Sequence, residues 1–253
     1  MKPVIIQALK ELERDKNITL LYACESGSRA WDFASGDSDW DVRFIYKRPI
    51  AAYVTLSPPR DVVELPLEHK LDINGWDVHK ALQLAGKSNP ALMEWLFSPI
   101  TYLEQGSFAA EMRKYISQQY SPRAIAYHYL HMAEGNYHKY LSNQSSVQRK
   151  KYLYVLRPLF CMEWLGQQKS MPPTRFLDVL GGVKTTKELR NAIQRLLEEK
   201  ARGKEVGRGP REEVLDRYIQ SRIQQFKGKL EMFVTKEANY VMLDSILQRE
   251  LLS

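Results

Sequence analysis

Asp37, Asp39 and Asp41 fall at alternate positions, just downstream of a Gly27-Ser28 step, in a stretch that also holds Glu25 and Asp32. Alternating aspartates can open a calcium loop, but that loop needs glycine at its sixth position and a bidentate glutamate at its twelfth. Counted from Asp37, those places hold Val42 and Arg48, which excludes it. In an extended chain, Asp39 and Asp41 instead project from one face. Two carboxylates side by side repel unless a cation lies between them. Their oxygens are hard ligands suited to Mg²⁺, which keeps several waters and shares its shell with substrate phosphates. Gly27-Ser28 supplies the complementary feature. Glycine lets backbone approach a phosphate closely, and free N–H groups at a helix start attract anions; the following "RAWDFA" can open such a helix. Asp39 and Asp41 also fit a plainer reading, a turn at the start of a strand and a salt bridge to Arg43.

Positioning these groups requires a strand on each side of the Gly-Ser step. "ITLLYAC" (18–24) is a continuous apolar run suited to a buried strand, and "WDVRFIY" (40–46) alternates, with Trp40, Val42, Phe44 and Tyr46 on one face. "DVVEL" and "KLDING" are two further strand candidates. Residues 2–16 form an amphipathic helix with Ile5, Leu9 and Leu12 on one side. A helix starts near Asp77, whose carboxylate can cap "VHKALQLAG", and Asn89-Pro90 begins another, "ALMEWLF". From about Gly106 onward the periodicity is helical throughout, with Pro172-Pro173 and "GKEVGRGP" as separators. The fold class is α+β: a mixed-sheet domain over residues 1–105, then an all-helical domain over 106–253.

"GS", a short spacer and "DWDV" resemble the signature of the DNA polymerase β nucleotidyltransferase superfamily. The blocks "ESGSRAW", "SDWDVRFIY", "LDINGWD", "KSNPALMEWL" and "KKYLYVLRPLF" are similar to predicted nucleotidyltransferases associated with RNA ligases, and they cover most of the chain. One departure is Asp32, where that family leads us to expect glycine; it alters the turn after the phosphate loop but removes no expected ligand. The resemblance implies a third carboxylate on a neighbouring strand. Asp72, between Leu71 and Ile73, matches best, with Asp61, Glu64 or Glu68 as alternatives, and with a turn carboxylate ahead of Asn74-Gly75 as its plainer reading.

The implied cofactor is a pair of Mg²⁺ ions, with Mn²⁺ able to substitute, held by Asp39, Asp41 and Asp72. One ion would hold the triphosphate of an NTP and the other would lower the pKa of an acceptor hydroxyl. Asp72 would be placed to take the proton. Attack at the α-phosphorus transfers a nucleoside monophosphate and releases pyrophosphate. Gly27, Ser28 and Arg29 would meet the phosphates; an arginine in the first turn of a helix is also common on ordinary surfaces.

In "RKKYLYVLRP", Lys150, Tyr154 and Arg157 share a helical face with Lys151 beside them, and Pro158 should kink the helix. By resemblance, Lys150 or Lys151 would contact the triphosphate and Tyr154 the base or sugar; an amphipathic helix with a solvated basic edge is the alternative. His128, His131 and His138 share a face of one helix, but a single helix cannot wrap three ligands with that rise around one zinc ion. They are expected in the core or a cleft.

The chain of 253 residues carries a formal net charge of +7 and a pI near 9.2, which favours polyanionic partners. Cys24 and Cys161 lie too far apart for a disulfide framework or paired metal motif, pointing to a reducing compartment. The first residues lack the apolar core of a signal peptide, and no apolar run reaches membrane-spanning length, so a cytoplasmic protein without a membrane partner is expected. The expected function is Mg²⁺-dependent nucleotidyl transfer from an NTP to RNA, in RNA repair or end modification. A protein or small-molecule hydroxyl is the second acceptor class, and a regulator that binds nucleotide or RNA without turnover is the third reading. Lys200, Arg202, Lys204 and Arg208 are the basic residues expected to track an RNA backbone, unless neighbouring glutamates neutralise them.

Overall fold

The computed structural model describes residues 1–67, 70–202 and 207–252; Glu68 and Lys204 lie outside them. The chain divides into two units. The first comprises Met1–Ala30, Asp39–Tyr120 and Glu237–Ser253, and the second Trp31–Ser38 and Ser121–Lys236.

In the first unit, helix α1 (Lys2–Lys16) has proline in its opening turn and stops at Asn17, which turns left-handed at φ 48° while its N–H bonds back to the last carbonyls. Ile5, Leu9 and Leu12 fall on one side and are buried with Leu20, Val42, Phe44 and Ile73 of the sheet. Strand β1 (Thr19–Glu25) is followed by a single helical turn, α2 (Gly27–Ala30), and by β2 (Trp40–Lys47). Strands β3 (Val62–Glu64) and β4 (Leu71–Asp77) come next, then helices α3 (Val78–Gly86) and α4 (Pro90–Leu96), strand β5 (Thr101–Glu104) and helix α5 (Phe108–Gln119).

The five strands order as β3-β4-β2-β1-β5. β2 and β4 pair in parallel; the other neighbours pair antiparallel. β1 is the strand between β2 and β5, and α1 packs with its Leu20 and Ala23 while α4 and α5 also pack on it; buried on both faces, its sequence is apolar without alternation. The four residues of β5 are too short to show a period, and sequence reasoning passes over them.

Asn74-Gly75 ends the strand candidate "KLDING" and lies inside β4, not in the turn of the plainer reading. A β-carbon on Gly75 would come within 2.1 Å of the ring of Phe44, its partner across the parallel pair, so glycine here makes room for an aromatic ring. Asp77 caps α3 by accepting the His79 N–H at 2.9 Å, and Asn89 caps α4 by accepting that of Leu92 at 3.1 Å.

The second unit contains α6 (Pro122–Tyr140), β6 (Ser146–Gln148), α7 (Lys151–Gln168), α8 (Phe176–Gly181), α9 (Lys187–Ala201), β7 (Arg208–Pro210) and α10 (Glu213–Lys227). β6 and β7 form a small antiparallel ladder that helical periodicity did not predict, since three-residue strands carry no pattern. α7 runs through Pro158. The carbonyl of Tyr154, left without its helical donor by that proline, accepts from Asn136 Nδ2 at 3.1 Å. Segment 31–38 is anchored here: Trp31 accepts the Phe176 N–H at 2.9 Å, and Phe33 packs edge-on against Tyr154 and Phe176. Helix α11 (Tyr240–Leu252) belongs to the first unit, packed on α3 and α5.

The basic tract differs from its sequence expectation. Lys200 is only 5% exposed, its ammonium lying 4.4 Å from the centroid of the Phe33 ring, so it is not part of a backbone-tracking surface. Arg208 is spent on Gln144 Oε1 at 2.8 Å and the Ser146 carbonyl. Glu199 takes up Arg149 at 2.7 Å, and Glu212 pairs with Arg195 at 3.0 Å. Among the described residues, no helix is long and apolar enough to cross a membrane.

Candidate functional site

β1 ends at Glu25, and the chain leaves the sheet through Ser26 and Gly27, the latter at φ +57°. A β-carbon on Gly27 would stand 2.0 Å from Asp41 Oδ2, so both the backbone conformation and the space demand glycine. The helix that "RAWDFA" was expected to open is the single turn Gly27–Ala30, because Asp32 turns left-handed at φ 64° and ends it. So short a helix has almost no macrodipole. An anion here would be met by the local N–H groups of the turn. The positive φ of Asp32 also explains why glycine is the residue expected at that position.

The carboxylates sit on the adjoining strands. Asp41 and Asp72 are direct partners across the parallel β2–β4 pair. Arg43 lies between them, donating from Nη2 to Asp72 Oδ2 at 2.7 Å and to Asp41 Oδ1 at 3.3 Å, and from Nη1 to the carbonyls of Val42 and Asp72, each at 3.0 Å. Asp39 precedes β2 and is exposed, and its carbonyl accepts from Arg29 Nε at 3.1 Å. The Arg29 guanidinium stacks 3.8 Å from the centroid of the Trp40 ring, linking the Gly27 turn to the start of β2. Burial pushes the Asp41 carboxyl above its usual range; Arg43 opposes this, while Asp72 and Asp39 push the same way as burial.

The salt bridge named by the plainer reading of Asp41 is therefore present, but Arg43 is shared with Asp72. The plainer reading of Asp72, a turn, does not describe its place within β4. Of its alternatives, Asp61 pairs with Lys80 at 3.0 Å, and Glu64 accepts from Arg60 and Asn74 at 3.0 and 3.1 Å.

Among the described residues, no group of three His, Cys, Asp or Glu side chains is assembled to hold a metal ion as it stands. The donor chemistry nonetheless fits Mg²⁺. That ion binds one or two carboxylates plus substrate phosphates rather than a closed protein cage. Asp41 and Asp72 already converge on one cation, beside a glycine that keeps a β-carbon out of the same space. Their side chains are 27% and 40% exposed, open enough to exchange that partner.

Gly27, Ser28, Arg29, Asp39, Asp41 and Asp72 are thus gathered in the first unit. Lys150, Lys151 and Tyr154 belong to the second. There, Lys150 precedes α7 as its N-cap, and the Lys151 ammonium lies 4.2 Å from the centroid of the Tyr140 ring and 4.9 Å from that of Tyr154. Arg157, expected on the same face, is buried over the Trp31 ring. His128, His131 and His138 are exposed along α6, not in a core or cleft.

Sequence reasoning passed over Glu25, which is 0% exposed. Its Oε1 accepts the backbone N–H of Asp41 at 3.0 Å and its Oε2 accepts the Tyr102 hydroxyl at 2.6 Å. Burial raises its pKa, and those two hydrogen bonds counter the shift. The available signal was a carboxylate closing an otherwise apolar strand.

The mixed sheet, its glycine loop and the paired strand carboxylates are those of a polymerase β-type nucleotidyltransferase. Residues 1–249 match the family model described as RlaP, RNA repair pathway DNA polymerase beta family, and the chain belongs to that family. It is similar to the uncharacterized protein YcgL of Bacillus subtilis (strain 168), with 38% identity over 252 residues, covering 97% of this chain and 96% of that protein. Among solved structures it matches a nucleotidyltransferase-like protein from Exiguobacterium sibiricum 255-15, at 10% identity and a TM-score of 0.30, over 97% of this chain and 79% of the other.

Proposed function

We propose that this protein transfers a nucleoside monophosphate from an NTP to an acceptor hydroxyl with Mg²⁺, releasing pyrophosphate, and that the acceptor is RNA in repair or end modification. The observation that carries the reading is the contact of Gly27 with the Asp41 carboxylate, in a strand pair where Asp72 stands opposite Asp41. Gly27 leaves room for the Asp41 carboxylate at the mouth of the turn, and that carboxylate shares one cation with Asp72.

Asp39, Asp41 and Asp72 would hold the metal, which neutralises the triphosphate and lowers the pKa of the acceptor hydroxyl when bound. Gly27 and Ser28 would admit the phosphates to the turn. Arg29, already bonded to the Asp39 carbonyl, would steady the loop and add positive charge. Asp72, the more exposed carboxylate of the pair, is the candidate to receive the acceptor's proton. The roles of Lys150, Lys151 and Tyr154 in nucleotide binding, and the assignment of residues 1–105 as catalytic and 106–253 as acceptor-binding, rest on the family resemblance.

The name of the family and the net charge of +7 support an RNA acceptor. The ion pairs of Glu199 and Glu212 favour weighing a protein or small-molecule hydroxyl beside it. Incubation with each α-labelled NTP, Mg²⁺ and a mixed RNA pool tests the proposal. Label on RNA is the expected result; label on protein would move the acceptor class, and label left in NTP with every substrate would remove turnover.

A further inference from the structure

The carboxyl of Glu25 lies at the point where the chain must do two incompatible things. β1 and β2 pair as far as Glu25 opposite Val42. One residue later the chain turns out of the sheet to form the Gly27 loop. The Ser26 N–H still reaches the Asp41 carbonyl at 2.8 Å, but the Asp41 N–H gets no backbone acceptor from the departing strand. Glu25 Oε1 takes that place. Its Oε2 is held by Tyr102 of β5, while the Glu25 backbone is fixed by its own N–H to the Ile100 carbonyl at 2.9 Å and by Ser98 Oγ to its carbonyl at 2.6 Å. One carboxyl ties three adjacent strands at the edge of the site.

We infer that Glu25 is a positioning residue for nucleotidyl transfer: through the backbone of Asp41 it holds that carboxylate against the Gly27 turn. This rests on the function proposed above. A buried carboxyl is a costly way to satisfy one N–H if only stability is served, since an apolar residue with a continuing strand would do the same without desolvating an acid. Here the strand cannot continue, because its next residues form the loop. The carboxyl allows the turn and the ladder to exist one residue apart. Gln at this position keeps an oxygen for the Asp41 N–H and an amide to face the Tyr102 hydroxyl, whereas Ala keeps neither.

Three variants test it: Glu25→Ala, Glu25→Gln and Tyr102→Phe. Steady-state kinetics supply one readout and amide hydrogen exchange at Asp41 the other. Glu25→Ala is expected to lower kcat by about 10- to 100-fold with KM for NTP little changed, the range typical when a group orienting a ligand is removed. Its Asp41 amide should exchange faster than in the wild type, and Glu25→Gln should restore both. Should Glu25→Ala not fold, Tyr102→Phe carries the test, with a smaller change in the same direction in both readouts. An unchanged exchange rate at Asp41 overturns the inference. Faster exchange with unchanged kcat also overturns it, leaving Glu25 a role in the fold alone. If the wild type turns over no NTP, the proposed function fails, and the exchange readout alone decides whether Glu25 holds Asp41.

Discussion

Gly27 and Asp41 are in contact: a β-carbon on the glycine would lie 2.0 Å from the aspartate's Oδ2, and 2.8 Å from its carboxyl carbon. The loop that would receive phosphate and the carboxylate that would hold metal therefore constrain each other directly. A side chain at position 27 must displace Asp41, and it must also adopt φ +57°, which disfavours residues with a β-carbon by about 1–2 kcal/mol. Gly27→Val is expected to abolish binding of a non-hydrolysable NTP with Mg²⁺ in calorimetric titration. Ser28→Ala, which removes one hydroxyl, should weaken binding by no more than about 1.5 kcal/mol. Unchanged affinity in a folded Gly27→Val protein would place the nucleotide elsewhere.

Gly75→Ala tests the other glycine that the sheet requires. Its new methyl group would meet the Phe44 ring at 2.1 Å, and that ring is fully buried between α1 and the sheet. Overpacking of this kind costs about 1–3 kcal/mol, measurable as a lower urea midpoint with an unchanged slope. A midpoint equal to the wild type would mean that Phe44 has room to move.

Asp77 gives a pH dependence away from the site. It caps α3, accepts from Tyr53 at 3.0 Å and lies 3.8 Å from Arg48, yet burial outweighs these and raises its pKa above 3.8. A carboxyl whose folded pKa is raised binds its proton more tightly in the folded state. Its contribution to stability is full below pH 3.8 and is lost as pH rises through the folded pKa. Asp77→Asn keeps an acceptor for the cap but carries no charge. The stability of the wild type relative to Asp77→Asn should fall as pH rises through the acid range, by urea titration at a series of pH values. A relative stability that rises instead would show that Arg48 dominates over burial.

The strands that carry the site were legible because their residues obey a period. Trp40, Val42 and Phe44 alternate, and Asp39 and Asp41 follow from the same period. The helix starts at Asp77 and Asn89 were legible because capping is local chemistry. What escaped depends on partners distant in sequence. β5 is four residues long and exists because β1 offers it an edge. Lys200 has the composition of a solvated surface and is buried because Phe33, far upstream, packs beneath it. Arg43 was seen as a partner for Asp41, but its stronger bond to Asp72 arises only from the parallel register of β2 and β4. The same register brings Asp72 beside Asp41, which no spacing along the chain could show.

Pyrophosphate release is the measurement closest to the proposed chemistry, compared among the wild type, Asp41→Asn and Asp72→Asn with NTP, Mg²⁺ and RNA. Each substitution keeps the size of the side chain and removes one charge from a crowded carboxylate set, so the folded protein should persist with a melting temperature near the wild type. Loss of a group that stabilises the transition state electrostatically is expected to slow release by about 10²–10³-fold in each variant. Release at a near wild-type rate in either folded variant would contradict the assignment of the Asp41–Asp72 pair as the centre of nucleotidyl transfer.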